Sequence, residues 1–147
     1  MRRVGVDTNV FIHAHLPSSP EHERVRAQLL ALLASPDTCI CTTPSILHEF
    51  VHVVTDAKRF APPVSMAEAI ALARRYLTAS NVECLAADGQ SAELALELME
   101  QHQLGRERLA DSMFAATLMR HAVNELVTCN VDDFKIFAGL AVIDPRT

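Results

Sequence analysis

The chain has 147 residues, a length that suits one domain, and we expect residues 1–147 to form it. Half of the residues are hydrophobic, enough for a buried core, and no apolar run reaches the roughly 18 residues of a membrane span. The formal net charge of −5 argues against binding nucleic acid through a generally basic surface. Arg2 and Arg3 precede no long apolar region, so we predict an opening strand instead of a signal peptide and expect a cytoplasmic location.

Predicted strands and helices alternate along the chain. Apolar runs indicate strands at residues 3–6, 38–42, 82–85, 126–129 and 141–143. Helical periodicity and capping residues predict helices over 21–34, from Thr43-Pro44 onward, from Ser65 to about Leu77, over 91–102 and over 109–122, with a helical turn near Phe134. Alternation of this kind favours a mostly parallel sheet with helices on both faces. Ligand sites in such sheets lie beyond the carboxyl ends of the strands, where Asp7 and Asn130 are expected.

The four cysteines are predicted to be buried free thiols. Cys39 and Cys41 alternate along one strand, and their spacing differs from the C-x-x-C pattern of redox and zinc-ribbon sites. Free cysteine behaves as a small hydrophobic residue and is commonly buried.

Four acidic residues, Asp7, Glu49, Asp111 and Asp133, interrupt otherwise apolar segments. An ionised carboxylate at the boundary of a core is costly unless it is paired, and several together repel one another unless protons or a cation intervene. Hard oxygen ligands select Mg²⁺ or Mn²⁺. Such an ion polarises a phosphoryl oxygen and lowers the pKa of a bound water, which is the chemistry of phosphodiester cleavage.

Each acidic residue also has a simple structural explanation. Asp7 suits a helix or turn cap, and Asp111 suits the positive end of a helix dipole. Glu49 suits a solvated helix position, and Asp132-Asp133 suits a turn. Taken singly, each residue favours these explanations, and only the combination favours a shared site.

The combination resembles one protein family. Val6-Asp7-Thr8-Asn9-Val10-Phe11 resembles the opening of PIN domains, in which a hydrophobic strand ends in an acidic motif. The helix that carries Glu49 resembles the family's second acidic position, and Leu109-Ala110-Asp111 with Ala115-Ala116 resembles the third. The closing segment Thr128-Cys129-Asn130-Val131-Asp132-Asp133-Phe134 resembles the end of the family pattern. These motifs span nearly the whole chain.

The resemblance implies a PIN-like (Rossmann-like) three-layer α/β/α sandwich with a mostly parallel central sheet. It also implies an endoribonuclease that uses Mg²⁺ or Mn²⁺ to cut RNA. The short single-domain form is similar to VapC-type toxins, which a small VapB-type antitoxin neutralises, so an antitoxin partner and a homodimer are expected.

The resemblance also assigns roles to the acidic residues. Asp7 and Asp111 are expected to be the main metal ligands, and Glu49 is expected to bind the ion or orient water. The fourth acidic position falls on Asp133, because it directly precedes the phenylalanine of the motif, with Asp132 as its competitor.

Three polar residues are expected to support this cluster. Thr8 and Asn9 are expected to hydrogen-bond the acidic side chains, and Asn130 is expected to be a neutral partner beside the metal ligands. The neutral side chain at Asn130 keeps a second hypothesis open, namely a non-catalytic PIN-like module that binds RNA or protein without metal.

A third hypothesis comes from His48-Glu49-Phe50-Val51-His52, which spells the H-E-x-x-H motif of zinc metallopeptidases. Two histidines four residues apart share a helix face and can bind Zn²⁺, with Glu49 as the general base. A helical wheel places both histidines opposite the apolar side of the helix, where solvent is expected. This arrangement favours exposed histidines over a zinc site, and the zinc hypothesis leaves Asp7 and Asp111 unexplained.

Overall fold

A computed structural model describes residues 1–147 and contains five strands and seven α-helices. The strands are β1 (Arg2–Val6), β2 (Thr38–Thr42), β3 (Val82–Cys84), β4 (Glu125–Val127) and β5 (Ala141–Ile143). The helices are α1 (Thr8–His15), α2 (His22–Ala34), α3 (Pro44–Val54), α4 (Met66–Thr78), α5 (Gly89–Gln101), α6 (Leu109–Arg120) and α7 (Val131–Phe134), with a 3₁₀ turn at Arg106–Arg108. No helix is long and apolar enough to cross a membrane.

The five strands form one parallel sheet in the order β3-β2-β1-β4-β5. The chain builds outward from β1 through β2 to β3, and then returns to the other side of β1 to place β4 and β5. The strand order therefore reverses between β1 and β4, and a crevice opens beyond their carboxyl ends. This topology confirms the predicted parallel sheet and places the ends of β1 and β4 next to each other.

Helices cover the sheet in two groups. Helix α1 packs against α2 and α3, and α3 packs against α4, while α5 and α6 pack against each other. The predicted helix starts at Thr43-Pro44 and Ser65 are confirmed, because Thr43 Oγ1 accepts the Ile46 N–H at 3.2 Å and Ser65 Oγ accepts the Glu68 N–H at 3.1 Å. The expected α/β/α sandwich is confirmed.

Two expectations about local structure need correction. Helix α1 was not predicted, because it is only eight residues long and lacks the apolar stripe that reveals a longer amphipathic helix. All four cysteines are free, as expected, but only Cys41 is buried, and Cys39, Cys84 and Cys129 are half-buried.

Gly5 marks the closest approach between the sheet and α6. A methyl group at this position would lie 2.7 and 2.9 Å from the two Cδ atoms of the buried Leu118. Gly5→Ala is therefore expected to lower the free energy of unfolding by about 1–3 kcal/mol, because the packed leucine must move. Urea denaturation measures the change.

Gly89→Ala is the matched control, since nothing lies within 4 Å of the added methyl group at the start of α5. Equal stability of the two variants would contradict the packing described at Gly5.

Candidate metal centre

Asp7 lies between the end of β1 and the start of α1, and the residue is only 6% exposed. Its Oδ1 atom accepts the Thr8 N–H at 2.8 Å, so Asp7 is the N-cap of α1 as well as a candidate ligand. Its Oδ2 atom accepts the Thr128 hydroxyl at 2.8 Å and the Asn9 amide at 3.2 Å. The structure therefore holds this carboxylate in one orientation, at the crevice where the strand order reverses.

Asn9 and Thr128 tie the ends of β1 and β4 together around Asp7. The Asn9 Oδ1 atom accepts the Cys129 N–H at 3.0 Å, and its amide nitrogen reaches Thr128 Oγ1 at 3.3 Å. Thr128 belongs to the closing motif of the chain, but the motif alone assigns it no role. The signal was available, because a polar residue that directly follows a buried strand lies at the carboxyl edge of the sheet.

Glu49 comes from the middle of α3 and is exposed. Its Oε2 atom accepts the Thr8 hydroxyl at 3.0 Å. Thr8 therefore links the two carboxylates, since its backbone N–H caps Asp7 while its side chain holds Glu49. The expected contacts of Thr8 and Asn9 with the acidic side chains are both present.

Asp111 lies in the first turn of α6, where the positive end of the helix dipole favours a carboxylate. The Arg108 guanidinium lies between Asp111 and Asp133: its Nε is 3.4 Å from Asp111 Oδ2, and its Nη1 is 3.6 Å from Asp133 Oδ1. Arg108 also donates a hydrogen bond to the backbone carbonyl of Asp133. This cation escaped the sequence analysis, although a basic residue three positions before an acidic one at a helix start is a detectable pattern.

The structure separates the two competing acidic residues near the end of the chain. Asp133 is 46% exposed and faces Arg108, whereas Asp132 is 87% exposed and is bound to Lys135 Nζ at 2.7 Å. Asn130 precedes α7, and its backbone N–H donates to Thr128 Oγ1 at 3.0 Å. Asn130 is therefore bound to Thr128, which in turn binds Asp7, and its side chain makes no hydrogen bond to a carboxylate.

The four carboxylates influence one another electrostatically. Burial raises the pKa of Asp7 to about 6, the hydrogen bonds from Thr128 and Thr8 oppose this, and the charges of Asp111 and Glu49 raise it further. Burial also raises the pKa of Asp111, where the Arg108 charge opposes the shift and the Asp133 charge adds to it. Asp7 after β1, Glu49 of α3, Asp111 of α6 and Asp133 of α7 are linked through these contacts, and we call these four residues the acidic cluster.

This acidic cluster suits a hard divalent cation. Its donors are all carboxylate oxygens, and the buried Asp7 is destabilised as an anion until a cation or a proton neutralises it. No three of its ligand atoms lie within 4.8 Å of one another, since the one group that close is Cys39, Cys41 and Glu83 on β2 and β3. An ion at the acidic cluster would therefore be held by one or two carboxylates, as is usual for Mg²⁺, which keeps several waters.

The H-E-x-x-H segment does not form a zinc site in this structure. His48 and His52 lie on the solvent side of α3, as the helical wheel predicted, while Phe50 is fully buried. No third ligand approaches them closely enough to complete a metal set. Glu49 belongs instead to the acidic cluster through its hydrogen bond with Thr8.

The fold and the acidic cluster together define a class of protein: parallel α/β/α proteins with a group of carboxylates at the crevice between β1 and β4. Comparison with protein families agrees with that description, since the family model for the PIN domain matches residues 4–140. The chain belongs to the PIN domain family.

Two proteins of Mycobacterium tuberculosis are similar to this chain over nearly their full length. Ribonuclease VapC24 is 26% identical over 98% of this chain and 97% of its own, and ribonuclease VapC33 is 28% identical over 95% of each. Two solved structures share the fold. VapC20 of Mycobacterium tuberculosis, a sarcin-ricin loop cleaving toxin, has a TM-score of 0.71 at 13% identity and covers 91% of this chain and 95% of its own.

The second solved structure is VapBC2 from Rickettsia felis bound to a DNA fragment from its promoter. It has a TM-score of 0.68 at 18% identity and covers 96% of this chain and 97% of the matched chain. Both structural matches support the α/β/α fold with helices and strands in the same arrangement.

Asp7→Asn is expected to change how the stability of the metal-free protein depends on pH. The folded protein binds the Asp7 proton with a pKa of about 6, above the usual 3.8, so the wild type loses stability as pH rises through this window. The variant lacks that loss. Its free energy of unfolding relative to wild type should therefore rise by about 2 kcal/mol between about pH 4 and pH 7.

Urea denaturation in EDTA at several pH values measures this difference. The hydrogen bonds lost in Asp7→Asn lower the free energy of unfolding by an amount that does not vary with pH. The test is therefore how the difference in free energy between variant and wild type changes with pH. Asp132→Asn is the control, because Asp132 is exposed and its pKa is lowered by Lys135, so it cannot produce the same rise. A constant difference between Asp7→Asn and wild type would contradict the burial of an ionisable Asp7.

Proposed function

We propose that this protein is an endoribonuclease that cleaves RNA phosphodiester bonds at the acidic cluster with Mg²⁺ or Mn²⁺. One observation carries the proposal: a nearly buried Asp7 lies within electrostatic reach of Asp111 and Glu49, at the edge of the sheet where such folds bind ligands. The family membership and the two ribonuclease relatives support it.

In this proposal Asp7 and Asp111 bind the ion. The hydrogen bonds of Thr8, Asn9 and Thr128 fix Asp7 before the ion arrives, which lowers the cost of organising the site. Glu49, exposed and held at only one oxygen by Thr8, is free to orient a water or contact the ion. When bound, the ion would polarise the scissile phosphate and lower the pKa of water.

Arg108 has a part of its own in this proposal. Its guanidinium lies between Asp111 and Asp133 and reduces their mutual repulsion in the metal-free protein. Asp133, rather than Asp132, is the fourth acidic residue of the site, since Asp132 is turned outward and bound to Lys135.

We also propose the biological setting that the relatives suggest. One solved structure that shares this fold is a toxin-antitoxin complex from Klebsiella pneumoniae. The chain would then act as the toxin of a toxin–antitoxin pair, as one domain, in the cytoplasm, and be silenced by a VapB-type antitoxin. Homodimer formation stays a prediction.

Asp7→Asn and Asp111→Asn are each expected to lower the rate of RNA cleavage at least about a hundredfold in saturating Mn²⁺, because each removes a charged metal ligand. Gel analysis of a labelled RNA measures the rate, and EDTA should abolish it in the wild type. Asp132→Asn and His48→Ala are the controls and should cut at the wild-type rate.

Calorimetric titration with Mn²⁺ separates this proposal from the binding-module hypothesis. The proposed nuclease binds Mn²⁺, and both ligand variants weaken that binding. Wild-type cleavage rates in Asp7→Asn and Asp111→Asn would disprove the assigned site, and a wild type that binds RNA but neither binds Mn²⁺ nor cuts would favour the binding module.

A further inference from the structure

A groove of about 340 Å³ opens beside the acidic cluster, between the N-terminus of α3 and α6. Glu49 belongs to both the groove and the cluster, and Ala110, which directly precedes Asp111, lies on the α6 wall. The groove therefore continues the candidate metal centre along the surface. Its volume falls within the range of pockets that bind small organic groups.

The groove combines an apolar lining with a few polar groups at one end. Ile46, Met113 and Phe114 form the apolar part, and the exposed Ala87 forms the outer wall. None of the lining residues is a lysine, arginine or histidine. With Glu49 on the wall and no basic residue, the groove disfavours an anionic group such as a phosphate and suits an uncharged one along its apolar part.

The polar end lies at Ser45, the second residue of α3. The first N–H groups of a helix lack partners within the helix. In α3, Thr43 accepts hydrogen bonds from two of these N–H groups: its hydroxyl accepts the Ile46 N–H, and its carbonyl accepts the Leu47 N–H. The Ser45 N–H makes no backbone or side-chain hydrogen bond, and the Ser45 side chain is exposed beside it. This residue can donate through its N–H and both donate and accept through its hydroxyl.

We propose that the groove is a nucleobase subsite that binds one base of single-stranded RNA next to the phosphate to be cut. This inference rests on the proposed function. A base is neutral, has two apolar faces and carries hydrogen-bonding groups only at its edge, which matches the apolar lining and Ser45 at the end. The Met113 thioether is suited to contact an aromatic ring. The subsite would make Ser45 and Met113 determinants of base preference.

Binding of short RNA tests the subsite directly. The probes are labelled single-stranded hexaribonucleotides that differ at one base, measured by fluorescence anisotropy in saturating Mn²⁺ in the Asp7→Asn background, so that the RNA stays intact. Ala87→Leu fills the groove from its exposed wall and should weaken binding of the preferred hexamer about tenfold, the size of one lost base contact. Ser45→Ala should reduce the difference between bases with a smaller loss of overall affinity.

Ala86→Leu is the matched control. Ala86 is the exposed neighbour of Ala87 but does not line the groove, so its variant should bind every hexamer as the parent does. Thermal unfolding of all three variants verifies that the fold is intact. The subsite is disproved if Ala87→Leu and Ser45→Ala keep the affinity and the base preference of the parent. It is also disproved if Ala87→Leu weakens binding of the antitoxin while RNA binding stays unchanged.

The same variants distinguish failure of the subsite from failure of the nuclease. Cleavage by an otherwise wild-type Ala87→Leu protein at unchanged positions would disprove the subsite and leave the nuclease intact. If the wild type cuts no RNA in Mn²⁺ while Ala87→Leu still abolishes base-dependent binding, the nuclease proposal fails and the subsite is supported.

Discussion

The fixed position of the Asp7 carboxylate is the constraint on which the rest of the site depends. Asp7 sits where β1 ends, and three donors from Thr8, Asn9 and Thr128 hold its two oxygens. Because burial raises its pKa to about 6, this residue is poorly stabilised as an anion at neutral pH in the protein alone. A bound cation removes that penalty, so the same burial that weakens the metal-free protein favours metal binding.

The acidic cluster is also organised by a cation of the chain itself. Arg108 lies between Asp111 and Asp133 and reduces their repulsion without reaching the buried Asp7 or the exposed Glu49. The charge of the cluster is therefore uneven: the guanidinium reduces the negative charge around Asp111 and Asp133, while the end formed by Asp7 and Glu49 has no basic side chain paired with it. The neutral groove beside Glu49 continues from that second end. An RNA chain would place its phosphate over the ion and a base in the groove.

The parallel sheet and the position of Asp7 can both be predicted from the sequence, because each follows from a simple pattern of residues. Apolar strands that alternate with helices predict a parallel sheet. Ligand sites in such sheets lie beyond the carboxyl ends of the strands, which predicts that Asp7 lies beside the end of β4. The helix α1 was missed because a short helix that is buried on most sides has no distinctive period. The role of Arg108 depends on how the turn at Arg106–Arg108 directs its side chain towards α7, which spacing alone does not reveal.

Sequence spacing also does not decide between Asp132 and Asp133 as the fourth acidic residue. Adjacent residues in a helical turn point in directions about 100° apart, so their roles depend on how α7 is rotated against the sheet. The structure turns Asp133 towards Arg108 and Asp132 towards Lys135. The same holds for the H-E-x-x-H segment of α3, where the directions of the histidines depend on how the helix is rotated about its axis. Because Phe50 packs into the core, both histidines face the solvent.

The most direct test of the central claim is a crystal structure of the protein soaked in Mn²⁺, with the ion located by its anomalous scattering. We expect an anomalous peak within coordination distance of Asp7 or Asp111, in the crevice between β1 and β4. A peak at Cys39, Cys41 and Glu83 with none at Asp7 and Asp111 would contradict it.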